Sequence, residues 1–548
     1  MSGQRFSGPT AAGLALLLLT SLYLLTSPDS RFEADDAYNY ASIIESGDLS
    51  DMMFPNHLLY LPAVKATYEP LKALLPGLRS LSFMAAIGAF IGAVAVVLFY
   101  LVMRAWLKAS QTQAMAGSAA LGASYGFWRY TAEAEVYALA SVMALLLLLG
   151  AVKLRPGWRG VTIVALLATL AVLAHSLNVA LVFVLPFLLI QLGWQRSKIL
   201  FAGALFGVLL VAATYGAYAI ARGHGGGMLS TTYIGFYTQT TGSAPAPGLS
   251  EVLRGVAALG STIVAPNSLF SLESIRDAVA KGFPRNASDD EFAMGATAPA
   301  WIRYLGPLTM TSALAGLAML IWRIRSARLF AWKSGFILLG WVVAYLAILF
   351  YAGGLAHPEV WVLVLLPMWA LAVGAMARAR VSGAVPWIVV GALFINSLVS
   401  GFFPLYLGEN RHAILGAWFV ENAGPGDLVL TADSAGLARY LGYRSEAHAA
   451  HIGIHSAEDV PLIGDLIERG ATTREILVTV HDRGQVSGHK AITGVDGRLF
   501  LTRDMFSPPS WLEAANPEAA KALRALGTQV GDRFEAVPGT IYLVRVTD

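Results

Sequence analysis

LSFMAAIGAFIGAVAVVLFYLVM, residues 81–103, carries no charged side chain, and RAWLK follows it, with Arg104 and Lys108. At the α-helical rise these residues reach about 34 Å, enough to cross about 30 Å of hydrocarbon. A run of this length that ends in cations reads as a membrane-spanning helix whose cationic end lies in the cytoplasm.

Outward from it the same pattern repeats. Candidate spans fall near residues 10–27, 81–103, 112–128, 134–152, 160–174, 177–193, 199–221, 301–322, 334–353, 359–377 and 384–404, about eleven in all. The third is Gly/Ala-rich and the pair on either side of His175 is short, so a re-entrant hairpin is the alternative there. With the N-terminus inside, the inner loops carry Arg5, Arg104, Lys108, Lys153, Arg155, Arg159, Arg196, Lys198, Arg323, Arg325, Arg328, Lys333, Arg378 and Arg380, and no Asp or Glu. All acids before residue 410 then fall outside. This bias sets orientation and argues for an odd number of spans, N-in and C-out. The first run follows Arg5 and lacks an A-x-A-like cleavage site, so it reads as a retained anchor rather than a removed signal.

Composition agrees. The 548 residues are 56% hydrophobic and 13% charged, whereas soluble domains run about 45–50% apolar and about a quarter charged. There is no cysteine, which excludes disulfides, thiolate zinc sites and a cysteine nucleophile. No GxGxxG follows a strand and no GxxxxGK[ST] occurs, so no nucleotide-binding loop is indicated. Nothing points to nucleic acid.

Residues 1–410 thus read as a transmembrane domain with two long outer loops, 28–79 and 222–300, the second of lid-like length. Residues 411–548 hold about half of the chain's 35 acids and no spanning run. Strand-like runs at Leu428–Thr431, Glu475–Val480, Arg498–Thr502 and Thr540–Val546 alternate with helical patterns at Ser434–Leu441, Asp459–Arg469 and Glu518–Leu526. That alternation predicts a small soluble α/β domain outside the membrane. The expected fold class is a polytopic α-helical membrane protein with a C-terminal α/β domain.

Several polar groups lie at the outer ends of these spans, where burying charge is expensive without a reason. Asp35 and Asp36 are adjacent carboxylates. One can act as a general base toward a hydroxyl while the other holds a partner or a divalent cation; alternatively Asp36 caps a short helix and Asp35 faces water. In Pro55–Pro62, His57 and Tyr60 are three apart and share a helical face; they either bind phosphate and move protons or make an interfacial hydrogen bond and an aromatic anchor. In FWRYTAEAEVYAL, residues 127–139, Arg129 can pair with Glu133 or bind a lipid phosphate, and Glu133, Glu135 and Tyr137 sit at the lip of a span. His175 and Asn178, and His357 in a Gly/Pro turn, either line a headgroup pocket or cap helical hairpins.

These residues carry a resemblance. The acidic pair after the first span, the Pro55-Asn-His-Leu-Leu-Tyr60 segment and Phe127-Trp128 with Ala134-Glu135-Val136-Tyr137-Ala138-Leu139 resemble the GT-C class of integral-membrane glycosyltransferases. Within it they look most like bacterial relatives of the transmembrane O-mannosyltransferases of the TMEM260 type. Asp427-Leu-Val-Leu-Thr-Ala-Asp433, near Tyr440, is a further echo. The resemblance implies a polyprenyl-phosphate sugar donor, an extracytoplasmic acceptor (protein hydroxyl, lipid or glycan), an inverting transfer at a bacterial inner membrane, and an acid of the first outer loop as base. That role falls on Asp35 first and Asp36 second. The chain departs from the family in having Asp-Asp-Ala for the usual acidic motif and Pro-Asn-His for His-Pro-Pro-Gly.

Two other readings use the same residues. A transporter or flippase needs charged groups or broken helices near mid-membrane and often repeated halves; here the ionisable residues lie at one face only and no repeat is found. A non-enzymatic subunit of a polysaccharide assembly or export system would use the C-terminal domain for docking.

Overall fold

The computed structural model describes residues 8–28, 36–47, 51, 52, 54, 56–194, 197–221, 249–282, 290–327, 332–352, 355, 357–381, 383–431, 435–451, 461, 476–482, 485–492, 497–502, 506, 516–537 and 541–545. They form two compact units. The first comprises residues 1–29, 43–271 and 298–406, and the second residues 30–42, 272–297 and 407–548. Parts of both outer loops therefore belong with the C-terminal region, which hydropathy alone could not reveal.

The first unit is helical. Its early helices are α1 (Gly8–Leu25), α3 (Tyr60–Leu74), α4 (Ser80–Trp106), α5 (Gln111–Ala123), α6 (Tyr125–Ala132), α7 (Tyr137–Lys153), α8 (Trp158–Ala174), α9 (Val179–Gln191) and α10 (Ser197–Ala221); α2 (Asp36–Ser46) crosses the boundary between the units. Among the described residues five helices are long and apolar enough to cross a membrane: Ser80–Trp106, Ala300–Ala327, Lys333–Phe350, Pro358–Arg378 and Ala384–Leu407. Shorter apolar helices occur at Ala12–Leu25, Trp158–Ala174, Ser176–Gln191, Gly203–Ala217 and Val252–Ile263. Leu17, Phe187, Ile190, Val208, Phe336 and Ile388 are more than half exposed on these helices, as lipid-facing positions are. This is an integral membrane protein.

The expected span 112–128 is broken. Helix α5 stops at Ala123, and α6 starts at Tyr125. The Ser124 hydroxyl, bonded back to the Ala120 carbonyl at 2.8 Å, also receives the Trp369 indole N–H at 3.0 Å, and Ser397 donates to the Ala123 carbonyl at 2.8 Å. These distant partners stabilise the junction. A second break follows: α6 and α7 meet at an angle of 113° across Glu133–Val136.

Two glycines let this bent segment approach α4. A Cβ on Gly92 would stand 2.6 Å from Thr131 Cβ, and one on Gly88 would stand 3.0 Å from the Glu133 carbonyl oxygen. Gly88 and Gly92 are four apart on α4, the spacing that lets membrane helices pack backbone to backbone. Around α6 sits a core of Tyr23, Ala89, Tyr125, Trp128, Ala132, Ala265 and Phe402. Trp128 is fully buried and its indole N–H donates to Thr26 Oγ1 at 2.7 Å, while Tyr23 donates to the Gly122 carbonyl at 3.1 Å.

The second unit holds a five-stranded sheet in the order β2-β1-β5-β7-β6, from β1 (Leu428–Thr431), β2 (His448–His451), β5 (Leu499–Thr502), β6 (Glu535–Val537) and β7 (Ile541–Arg545). Strands β2 and β5 run parallel to β1, and β7 and β6 continue antiparallel. A separate hairpin joins β3 (Ile476–Asp482) to β4 (Gln485–Ile492). Every residue of β1 is buried, as suits a central strand. Leu415, Phe419, Val429, Leu437, Leu441 and Phe500 form the core between the sheet and the helices Arg411–Asn422 and Ala435–Arg444. Asp427 fixes the turn before β1: its carboxylate accepts from the Gly424 amide at 2.8 Å and from Arg498 Nη2 at 2.8 Å. Burial pushes its pKa up, but the Arg498 and backbone hydrogen bonds outweigh that and hold it below the usual carboxylate value. The expected helix Asp459–Arg469 falls almost wholly outside the described residues.

Candidate active site

The first unit gathers two polar clusters from the stretches singled out in the sequence. The first is centred on α6. Arg129 Nε donates to Glu133 Oε1 at 3.0 Å, one helical turn on, with side chains only 3% and 0% exposed. Arg129 Nη1 donates to the Tyr125 hydroxyl at 3.2 Å, which also accepts from Asn267 Nδ2 at 2.7 Å. The guanidinium lies 5.6 Å from the Tyr130 ring centre and 6.0 Å from that of Tyr125, within cation–π reach. An ion pair buried this deeply needs further partners to offset desolvation; Tyr125 provides one, and Asn267 holds Tyr125 in place. Both escaped the sequence reading. Tyr125 was accessible, since Tyr125, Arg129 and Glu133 are spaced four apart. Asn267 was not, because nothing local marks it.

The second cluster joins the first outer loop to the turn between α8 and α9. The Leu59 amide donates to the Leu173 carbonyl at 2.9 Å and the Ser176 amide to the Asn56 carbonyl at 2.7 Å. These two backbone bonds bring His57 and His175 together, with ring centres 6.5 Å apart. His57 stacks on Phe54 at 5.1 Å and meets Tyr60 edge-on at 6.2 Å. His175 stacks on Tyr137 at 5.3 Å, and Tyr137 meets Tyr130 at 6.0 Å, which links the two clusters. His175 Nδ1 accepts the Leu177 amide at 3.2 Å, so in the neutral ring the proton sits on Nε2. Burial pushes His57 down from 6.5 to about 4; burial, and then the charge of His57, push His175 down to about 3. Both are neutral imidazoles at physiological pH.

Asn178 Nδ2 donates to the Ala140 and Ala171 carbonyls at 3.1 and 2.9 Å, tying α7 to α8. Its amide hydrogens thus hold the frame. Glu135 is buried in the α6–α7 bend. His357 stands differently: its side chain is 66% exposed and Nδ1 lies 3.5 Å from Glu359. Pro55 and Asp35 lie outside the described residues. Asp36 belongs to the second unit, where it opens α2; its Oδ1 accepts from Arg439 Nη1 at 2.7 Å and its Oδ2 from the Tyr40 hydroxyl at 3.4 Å. Among the described residues no group of three or more His, Asp or Glu side chains is placed to hold a metal ion.

Beside the histidines lies a cavity of about 530 Å³ between α8, α9 and α10. Its walls are almost wholly apolar, with Val172, Leu185 and Val211 among them. Ser176 and Tyr215 give it a polar end: Ser176 follows His175, its buried hydroxyl has no hydrogen-bond partner among the described residues, and Tyr215 packs on Leu58, next to His57.

No protein-family model matches the chain, and no curated protein matches it. Among solved structures it is similar to ArnT from Cupriavidus metallidurans bound to undecaprenyl phosphate, with TM-score 0.51 and 11% identity over 93% of this chain and 95% of that one. At this identity the likeness is one of fold. Weaker likenesses are ArnT of the same organism in the apo state, with TM-score 0.40 and 12% identity over 98% of both chains, and the Archaeoglobus fulgidus oligosaccharyltransferase in complex with Zn and sulfate, with TM-score 0.38 and 12% identity over 80% of this chain and 62% of that one.

Proposed function

We propose that this chain is a membrane glycosyltransferase that takes its sugar from a polyprenyl-phosphate-linked donor and passes it to an extracytoplasmic acceptor. The observation that carries the reading is the apolar cavity between α8, α9 and α10, whose polar end adjoins the buried His57–His175–Tyr137 cluster. An apolar channel beside groups able to donate hydrogen bonds suits a lipid tail with a phosphate at its head. Arg129 is the cation nearest in chemistry to a phosphate ligand, and Tyr60, Glu133, Glu135 and Asn178 shape the surroundings. The likeness of fold to ArnT bound to undecaprenyl phosphate supports the reading.

In this reading a carboxylate of the first outer loop, Asp35 or Asp36, takes the proton of an acceptor hydroxyl. The oxygen attacks the anomeric carbon from the face opposite the phosphate, the carbon–phosphate oxygen bond breaks, and polyprenyl phosphate leaves with the electron pair. The configuration inverts. The motifs around Glu135 make mannose the first sugar to test, the bacterial inner membrane is the expected site, and the α/β unit faces outside. The test is transfer from lipid-phosphate mannose by the purified full chain, with Asp35→Asn and Asp36→Asn beside it. Loss of turnover in at least one variant is expected; full activity in both rejects the acidic motif as the source of the base.

A further inference from the structure

We propose that Arg439 is the positioning residue of Asp36, so that a helix of the C-terminal region holds the candidate base in place. This rests on the glycosyltransferase reading for its kinetic consequence and on geometry for the contact.

Asp36 and Arg439 are 403 residues apart in sequence, yet Arg439 Nη1 lies 2.7 Å from Asp36 Oδ1. That is the short distance of a charge-assisted hydrogen bond. Tyr40, one turn further along α2, donates to the other oxygen at 3.4 Å. The pair is partly open to solvent, with side chains 36% and 50% exposed, and pairs of that kind add little to stability. Stability is therefore a poor account of it.

The surroundings are built to hold it in place. Between Asp36 and Tyr40, Tyr38 is buried; its ring meets Tyr440 edge-on at 5.3 Å and lies 6.5 Å from Tyr443. Tyr440 adjoins Arg439 in the chain and is wedged against the helix Arg411–Asn422, where a Cβ on Gly416 would stand 2.6 Å from its ring. Leu437 and Leu441, flanking Arg439 on the same helix, are fully buried in the core of the unit. The guanidinium thus stands on a rigid helix, and the aromatic contacts set the register between that helix and the first turn of α2. Asp36 is the first residue of α2, and a half-exposed side chain there keeps its rotamer freedom unless a partner holds it. A guanidinium held from a packed core fixes it, and a misplacement of about 1 Å can cost on the order of 100-fold in rate.

The test uses the full chain reconstituted in lipid, with two readouts. In steady-state transfer from a polyprenyl-phosphate sugar, Arg439→Ala is expected to lower kcat by about 10- to 100-fold while KM for the donor hardly moves. Arg439→Lys, which keeps the charge without the planar fork, recovers part of the rate. The double variant Arg439→Ala/Asp36→Asn is no slower than Asp36→Asn, because both changes remove one interaction. Wild-type kcat in Arg439→Ala, or losses that multiply in the double variant, overturns the proposal. The second readout is hydrogen exchange of the backbone amides of residues 37–42. Faster exchange in Arg439→Ala is expected, and unchanged exchange overturns the contact. If the wild-type chain transfers no sugar at all, the glycosyltransferase reading falls, and the exchange measurement alone still decides whether Arg439 orders the acidic segment.

Discussion

Removing one partner of the Arg129–Glu133 pair should unfold more of the protein than removing both. The two side chains are 3% and 0% exposed and 3.0 Å apart. At an effective dielectric constant of about 20, such a pair is worth roughly 5 kcal/mol of Coulomb energy before desolvation. Arg129→Met leaves the Glu133 carboxylate desolvated without its cation, which costs about 3–5 kcal/mol. Arg129→Met/Glu133→Leu takes both charges away and replaces them with apolar groups of similar volume, which is close to neutral in buried pairs and at times stabilising. The assay is unfolding of the full chain by SDS titration in mixed micelles, read by tryptophan fluorescence; Trp128 beside Arg129 is fully buried. The double variant is expected to be near wild type in stability and yet inactive in sugar transfer, because the cation proposed to hold the donor phosphate is gone. A single Arg129→Met variant as stable as wild type, or a double variant as unstable as the single, would refute the buried-pair reasoning.

The His57–His175 pair gives a pH dependence. Both folded-state pKa values lie below the ordinary 6.5, at about 4 and about 3, so from about pH 6.5 down to those values the unfolded chain binds more protons, and stability, full above about pH 6.5, drains away as pH falls toward them; the thermal midpoint followed over pH 7.5 to 4 should fall less steeply in His57→Phe than in wild type, and equal slopes would contradict it. Gly92→Ala should destabilise by roughly 1–3 kcal/mol through overpacking against Thr131, whereas Gly260→Ala, with nothing within 4 Å of the added Cβ, should be tolerated in the same melt. Asp427→Ala should loosen the turn before β1 by roughly 1–3 kcal/mol, because the Gly424 and Arg498 amides lose their acceptor; unchanged thermal unfolding would argue against that clamp.

Hydropathy was enough to find the long helices: residues 81–103 became Ser80–Trp106, and 301–322 became Ala300–Ile324. The α/β pattern was legible too, with β1 over the very residues 428–431 and β3, β5 and β7 near their expected runs. Strand β2, His-Ala-Ala-His, was missed because it lacks β-branched residues and owes its conformation to pairing with β1. The Gly/Ala-rich third span raised a re-entrant alternative, but the break could not be placed at Ser124, because the partners that fix it, Trp369 and Ser397, are more than 240 residues away. Gly88 and Gly92 were in plain view, but their spacing acquires meaning only when Thr131 and Glu133 lie against them. In the candidate site, acids and imidazoles at span ends stood out because charge near hydrocarbon needs a reason. The sequence could not divide them. Asn178 turned out to hold two backbone carbonyls, His357 is exposed, and the partner of Asp36 came from a helix in which nothing local distinguished Arg439.

The central claim is that sugar leaves a polyprenyl phosphate on this protein. Purified full chain in proteoliposomes, given donor labelled in the sugar and in the lipid, tests it most directly. Transfer predicts that the sugar label appears on an external acceptor while the lipid label remains as polyprenyl phosphate. Movement of both labels together across the bilayer, with no product formed, would contradict the account and identify a flippase instead.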